Sequence, residues 1–190
     1  MVEQPRQSIE LVTDDAPSLV LDFGSFFSAH HRDLALALAM TLRDDDLAAD
    51  ATAEAMARAF ARWDEVSTYT NPSGWTYRVG LNWARSRRRK LLRELLSRDA
   101  SRSPQRAAPP TPDIEPELDA ALAALPVEQR SVVVLRYLLD WSEFETAEAL
   151  DIPPGTVKSR LSRALEQLNR LLASPSLSSP ASSLTNGDQS

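Results

Sequence analysis

The sequence predicts an all-α protein of two small helical domains joined by an extended, proline-rich linker. Three observations carry that expectation. Apolar residues recur with a period near 3.6 along each long segment, and no alternating run is long enough to make a convincing strand. Ala, Leu, Arg and Glu dominate the chain, all of them good helix formers, and Gly occurs only five times. The thirteen prolines cluster, and Pro104, Pro109, Pro110, Pro112 and Pro116 split the helical pattern into two blocks. The expected layout is a disordered leader over 1–21, a helical domain over 22–96, a linker over 97–117 that turns acidic from Asp113, a second helical domain over 118–172, and a Ser- and Pro-rich disordered tail over 173–190.

With 190 residues and 43% hydrophobic side chains, compact cores are within reach. The absence of cysteine excludes disulfides, thiolate metal sites and a Cys nucleophile, and fits a reducing cytoplasm. No signal-peptide pattern opens the chain and no apolar run approaches 18 residues, so a soluble, intracellular protein is expected. No carboxylate pair, Ser-His-Asp set, phosphate loop or metal-ligand cluster stands out, so the sequence predicts no catalytic residues, no cofactor and no metal. The net charge of −6 argues against nucleic acid only while its distribution is ignored. Residues 64–106 hold ten Lys and Arg against four Asp and Glu, whereas 107–150 hold two against nine. Screening over a Debye length of roughly 8 Å lets such patches act separately.

The first helix is expected from Asp22, with Phe23, Phe26, Phe27, Leu34, Leu38 and Leu42 at helical intervals and Arg43 to Asp46 as its end. His30 and His31 are adjacent, so they point about 100° apart and do not form a metal pair. A second helix, Leu47 to Trp63, should bury Leu47, Ala51, Ala55, Met56, Ala59, Phe60 and Trp63. Asp50, Glu54, Arg58 and Arg62 recur every four residues on another face, either as a solvated ladder of ion pairs or as a docking surface.

Residues 64–74 then read as a loop of small hydrogen-bonding side chains around Tyr69 and Asn71. The helix after it carries Trp75, Val79 and Trp83 as one stripe and Arg78, Asn82, Arg85 and Arg89 as a neighbouring face. Arg87, Arg88 and Lys90 crowd its end, where cations also serve as ordinary caps. An aromatic, polar loop leading into a basic, Asn-bearing helix suits capture of unstacked bases and the backbone beside them.

Beyond the linker, which as an extended spacer should let the halves move independently, Leu122, Leu125, Val132, Leu135, Tyr137, Leu138 and Leu139 are core candidates around a break at Pro126. Ser142 and Glu145 form a capping box that starts a short helix with Phe144, Ala147 and Leu150 on one side. Asp151 to Gly155 break it. The last helix buries Val157, Leu161, Ala164 or Leu165, and Leu168, turning Lys158, Ser159, Ser162, Arg163 and Glu166 outward. That is helix-turn-helix geometry, whose second helix enters the DNA major groove; the plainer alternative is a helical hairpin with a solvated basic face.

Taken together, Leu125-Pro126 through Arg136-Tyr137-Leu138, the run Ile152 to Leu161, and Trp75 to Asn82 give the chain a resemblance to the extracytoplasmic-function (ECF) type of the sigma-70 family of bacterial RNA polymerase sigma factors, over roughly 22–172. The resemblance implies a non-enzymatic specificity subunit with two promoter readers. Asp50, Glu54 and Arg58 would contact the β′ clamp of core polymerase, with the β flap a further core contact. Tyr69, Asn71, Trp75, Arg78, Asn82, Arg85 and Arg89 would read the minus-ten element. Thr156, Lys158, Ser159, Arg160, Ser162 and Arg163 would read the minus-thirty-five element, Arg160 as a phosphate contact. Asp113, Glu115 and Glu117 of the connector would lie toward the polymerase active-site and RNA-exit region, and an anti-sigma factor is a possible partner. Rival readings are a free-standing helix-turn-helix regulator and a decoy that binds an anti-sigma factor or core. Two departures stand out: the family's Asp-x-x-Gln-Glu run is Asp50-Ala-Thr-Ala-Glu54 here, and its turn glycine is Asp151. The latter should take left-handed backbone at a cost of around 1 kcal/mol.

Overall fold

The computed structural model describes residues 22–97 and 115–173; the leader, most of the linker and the tail lie outside them. Among the described residues eight helices follow in order: α1 (Phe23–Leu42), α2 (Asp45–Ala61), α3 (Trp63–Val66), α4 (Pro72–Ser97), α5 (Pro116–Ala124), α6 (Val127–Tyr137), α7 (Glu143–Leu150) and α8 (Pro154–Ala173). Among the described residues all regular structure is helical, as the sequence pattern requires.

Local chemistry sets most boundaries. Asp22 caps α1 by accepting from the Ser25 amide at 3.0 Å, and Asp44 caps α2 through Leu47 at 3.1 Å. Asp45 and Asp46 therefore belong to the first turn of α2, where acids suit the helix dipole, and not to the break before it. Arg43 ends α1 in the left-handed region at φ 56°. Pro116 opens α5, so the helical second half starts two residues before Leu118.

In the first half, α1, α2 and α4 bury Phe26, Leu34, Leu38, Ala51, Met56, Tyr77 and Leu81 together. Gly80 lets α4 seat closely: a Cβ there would lie 2.9 Å from Leu38 Cδ1 and 3.1 Å from the Ala51 carbonyl oxygen. The fully buried Tyr77 hydroxyl pairs with the Thr41 hydroxyl at 2.8 Å, and desolvation drives its pKa far up, so it stays a neutral hydrogen-bonding group.

The second half is organised around α6. Val132, Val133, Val134 and Leu135 are consecutive and all buried, because they are divided among three clusters. Val132 meets Ala147 and Val157, Val133 meets Leu122, Ala164 and Leu168, and Val134 and Leu135 join the core of the first half beside Ala149. The stretch Ser131 to Leu135 is thus buried on several sides, while Glu128 and Tyr137 near the ends of α6 stay exposed. The two halves thus share one core in this structure, where the linker composition predicts independent motion. Trp141 adds an edge-to-face contact with Tyr77 at 6.3 Å, and Arg43 forms a two-pronged ion pair with Asp119, tying the end of α1 to α5.

Several core expectations are corrected. Phe60, Tyr137 and Phe144 are 65%, 65% and 66% exposed, and Leu138 is also at the surface. In α4 the buried stripe is Thr76, Tyr77, Gly80, Leu81 and Ala84, with Trp75, Val79 and Trp83 half-buried at its flank. Choosing the large aromatics shifted the expected stripe by about one position, since the close approach at Gly80 leaves no room for an indole.

Candidate nucleic-acid interfaces

The expected loop over 64–74 is shorter than its sequence implies. α3 takes up Trp63–Val66 and α4 starts at Pro72, leaving residues 67–71 as the connection. Asn71 caps α4, its Oδ1 accepting from the Gly74 amide at 2.7 Å, and Pro72 fills the first helical position where no N–H is needed. A Cβ at position 74 would come within 2.6 Å of Asn71 Nδ2, so any larger residue would have to push the capping side chain aside.

A cavity of about 370 Å³ opens beside this turn, lined by Thr68, Tyr69, Thr70, Asn71, Trp75, Arg78 and, from the other half, Glu148. Its wall is a connected set of polar and aromatic groups. Tyr69 donates its hydroxyl proton to Glu65 Oε1 at 2.5 Å, Arg62 Nη2 donates to Glu65 Oε2 at 2.7 Å, and the Arg62 guanidinium lies 5.7 Å from the Trp75 ring centre. Tyr69 and Trp75 are tilted to each other at 6.2 Å. The Tyr69 hydrogen bond, then that from Arg62, holds the Glu65 carboxyl below its ordinary range, and the same bond to Glu65 pushes the Tyr69 phenol up. Glu65 is therefore an anion that fixes a neutral Tyr69, leaving an aromatic wall and a cation at one opening.

Arg78, Asn82, Arg85 and Arg89 follow one another along one face of α4. Asn82 and Arg89 are exposed, and Arg89 reaches Ser86 Oγ at 3.1 Å. Arg78 and Arg85 are half-buried because the second half lies against them: Arg78 Nη1 is 3.7 Å from Asp151 Oδ1, and Arg85 Nη2 is 3.7 Å from Glu128 Oε1. Of the crowded cations further on, Arg88 donates to the Leu42 carbonyl at 3.2 Å, so it caps α1 from a neighbouring helix.

The second basic surface is α8. Ser142 accepts from the Glu145 amide at 3.2 Å while Glu145 accepts from the Ser142 amide at 2.7 Å, completing the capping box that starts α7. Those bonds hold the Glu145 carboxyl below its usual range. Asp151 ends α7 in the left-handed region at φ 55°, as the residue's place in the turn predicts. Gly155 meets nothing within 4 Å and has no positive φ, so the turn is made by Asp151 and the prolines. Val157, Ala164 and Leu168 hold α8 in the core, which turns Lys158, Ser162 and Arg163 into solvent and leaves Thr156, Ser159 and Arg160 half-exposed. Ser159 donates to the Thr156 carbonyl at 3.1 Å, keeping its lone pairs outward as acceptors.

On α2, Arg58 Nε donates to Glu54 Oε1 at 2.7 Å, and Asp50 lies one turn earlier on the same exposed side. The exposed Phe60, near the end of the same helix, has its ring 5.1 Å from that of Phe23. His30 and His31 pack on Phe26 and Phe27, at 5.0 and 4.5 Å between ring centres. Sequence reasoning missed Glu148 as part of the α4 cavity, and the Arg62–Glu65 pair as the support of its Tyr69 and Trp75. The Arg62 and Glu65 spacing of three was visible as a helical ion pair, but nothing local signals Glu148.

Residues 116–168, α5 to most of α8, match the family model of sigma-70 region 4. The chain is 31% identical over 173 residues to the ECF RNA polymerase sigma factor SigM of Mycobacterium tuberculosis (strain H37Rv), covering 88% of this chain and 85% of that protein. It is an ECF RNA polymerase sigma factor. This sigma factor is also 32% identical over 166 residues to the RNA polymerase sigma-E factor of Streptomyces coelicolor, covering 85% and 92% of the two chains. Its fold matches the sigma factor RpoE of Bartonella quintana, solved in complex with the anti-sigma factor NepR, with a TM-score of 0.70, 26% identity and coverage of 82% and 99%. As a sigma factor it binds core RNA polymerase and promoter DNA and serves transcription initiation. No described helix is long and apolar enough to cross a membrane.

Proposed function

We propose that this sigma factor reads its promoter at two places built from the two halves of the chain. The cavity at Tyr69, Asn71 and Trp75, continued by Arg78, Asn82, Arg85 and Arg89, takes unstacked bases and backbone of the minus-ten element. The observation that carries this reading is the juxtaposition of a 370 Å³ aromatic and polar cavity with a cationic, Asn-bearing helix face. Stacking on aromatic rings with electrostatic contact to the backbone is how single strands are held. The exposed side of α8, Thr156 to Arg163, supplies donors and acceptors for the major groove of the minus-thirty-five element. Asp50, Glu54 and Arg58 of α2 form the β′ clamp contact, with residues 115–173 the region that meets the β flap. The chain acts in the cytoplasm, and a protein partner of the anti-sigma class is part of this reading.

Transcription reconstituted with purified core polymerase tests the proposal. Promoter-specific transcripts that depend on this chain are expected, and Asn82→Ala should reduce open-complex formation more than core binding. Equal losses in both sink the minus-ten assignment. Specific DNA binding that core leaves unchanged identifies a free-standing regulator instead, and core binding without transcripts identifies a decoy.

A further inference from the structure

We propose that residues 174–190 turn back along α8 and seat Leu177 and Leu184 in an apolar groove at the base of the second half. The groove, about 400 Å³, lies between α1, α5, α6 and α8, with Met40, Leu118, Tyr137, Leu138, Leu165 and Leu168 in its wall. That volume is in the range of ligand pockets, about 300–1,000 Å³. Leu118, Tyr137 and Leu138 remain exposed among the described residues, so covering the groove would remove apolar surface from water.

Position, reach and chemistry select the occupant. Leu165, Leu168 and Leu172 follow at intervals of three and four, so one side of α8 runs as an apolar track from the groove to the end of the helix, where Leu172 is exposed. Leu165 lies eight residues before Ala173, about 12 Å of helix, and Leu177 lies four residues after it, about 13 Å when extended. Leu177 therefore draws level with Leu165, and the seven residues that follow carry Leu184 across the groove. Asp188 is the only charged residue in 174–190, so no ionised group has to enter apolar surface. Pro175 and Pro180 remove two backbone donors, and the serines between them can bond neighbouring backbone groups, which lowers the cost of laying a chain on carbon. The other stretches outside the described residues fit less well. Residues 98–114 carry Arg98, Asp99, Arg102, Arg106 and Asp113, and residues 1–21 precede α1 at its Phe23 end, seventeen residues and about 26 Å from Met40.

Tethering makes a weak contact count. A short flexible tether holds its ligand at an effective concentration on the order of millimolar, so a groove of millimolar affinity is about half filled. A seated tail shields an apolar face that would otherwise meet other chains, and a protein partner that docks there must displace it first.

The full chain supplies its own probe. Of its three methionines, Met40 lines the groove, Met56 lies in the core of the first half, and Met1 starts the leader. Since the chain has no cysteine, Ser179→Cys takes a single nitroxide, and isotope-labelled methionine methyls report its distance by NMR line broadening. The Met40 signal should broaden strongly and that of Met56 much less. With Leu177→Ser and Leu184→Ser added, Met40 should sharpen, because each change lowers the docking constant by about tenfold or more while leaving the groove residues intact. Met40 left sharp by the native tail, or broadened equally with both serines in place, overturns the proposal, the latter by showing tethering alone. A mixture of nitroxide-bearing chains without isotope and labelled chains without nitroxide tests the other occupant. Met40 should stay sharp there; broadening in the mixture puts a second copy in the groove and also overturns the assignment to the tail.

Discussion

Gly80→Ala tests how α4, and with it the minus-ten face, is seated. Two effects oppose each other. Replacing Gly by Ala inside a helix favours the folded state by about 1 kcal/mol. Against this, the new Cβ would lie 2.9 Å from Leu38 Cδ1 and 3.1 Å from the Ala51 carbonyl oxygen. The methyl of Leu38 has little room to retreat, since that side chain is 1% exposed, and the carbonyl moves only if α2 moves. Overpacking of this kind costs roughly 1–3 kcal/mol, so the net expectation is a loss of about 1 kcal/mol. Tryptophan fluorescence during urea unfolding measures it. In a Leu38→Ala background, itself costing about 2–5 kcal/mol, the added methyl meets a cavity, so Gly80→Ala should cost less there than in the native chain. A Gly80→Ala variant at least as stable as the native chain, or one whose effect is the same in both backgrounds, refutes the close-seating argument. A variant that folds but shows reduced promoter opening would place the lost function in the displaced α4, which carries Arg78 and Asn82.

Ser142→Ala should destabilise the second half by about 1 kcal/mol, because the Glu145 amide at the start of α7 loses its hydroxyl acceptor while the bond from the backbone amide of residue 142 to the Glu145 carboxylate stays; an unchanged midpoint in thermal unfolding contradicts the capping role. The Asp119 carboxyl is held below its ordinary value of 3.8, first by its hydrogen bonds from Arg43. A depressed folded-state pKa stabilises at pH above the unfolded value and is lost as pH falls through the folded one. Acid unfolding should therefore steepen below about pH 4 in the native chain and less so in Asp119→Asn, and equal acid slopes exclude the pair as a contributor. Arg163→Ala should weaken promoter binding by about 1–3 kcal/mol with relaxed preference at one base pair if it contacts guanine. A uniform loss over all sequences in a binding competition marks a phosphate contact.

The helices were legible because their ends are written locally. Ser142 with Glu145 and Asp22 with Ser25 each specify a start within four residues, and the apolar stripe of α8 follows from spacing alone, whereas the start at Pro72 after Asn71 reads in the sequence as loop through Gly74. What failed were inferences in which size stood for burial. Phe60, Phe144 and Tyr137 occupy helical positions next to the core stripe, and their large side chains drew the expected face toward them. The true core positions are small residues, Gly80 and Ala84 in α4 and, on two different sides of α7, Ala147 and Ala149; at Gly80 the neighbouring backbone leaves no room for an aromatic ring. The α4 face was legible as a row of side chains. Its cavity was not, since Glu148 reaches it from α7, and the Arg62–Glu65 pair that holds Tyr69 is formed around α3.

The packing of one half on the other had two traces in the sequence, and each had a simpler explanation in isolation. Ser-Val-Val-Val-Leu in α6 is apolar beyond what one face needs, which an isolated three-helix domain could absorb in its centre. The basic block over 64–106 and the acidic block over 107–150 read as separate patches under screening, the one for DNA and the other for a connector. In the structure the two traces explain each other. Val134 and Leu135 are the surplus apolar positions, and they bring Glu128, on the same helix, to Arg85, while Ala149 on α7 brings Glu148 and Asp151 to the cavity and Arg78. Screening limits the range of a charge but not its effect at contact, so complementary blocks on one chain meet once an apolar seam sets their register.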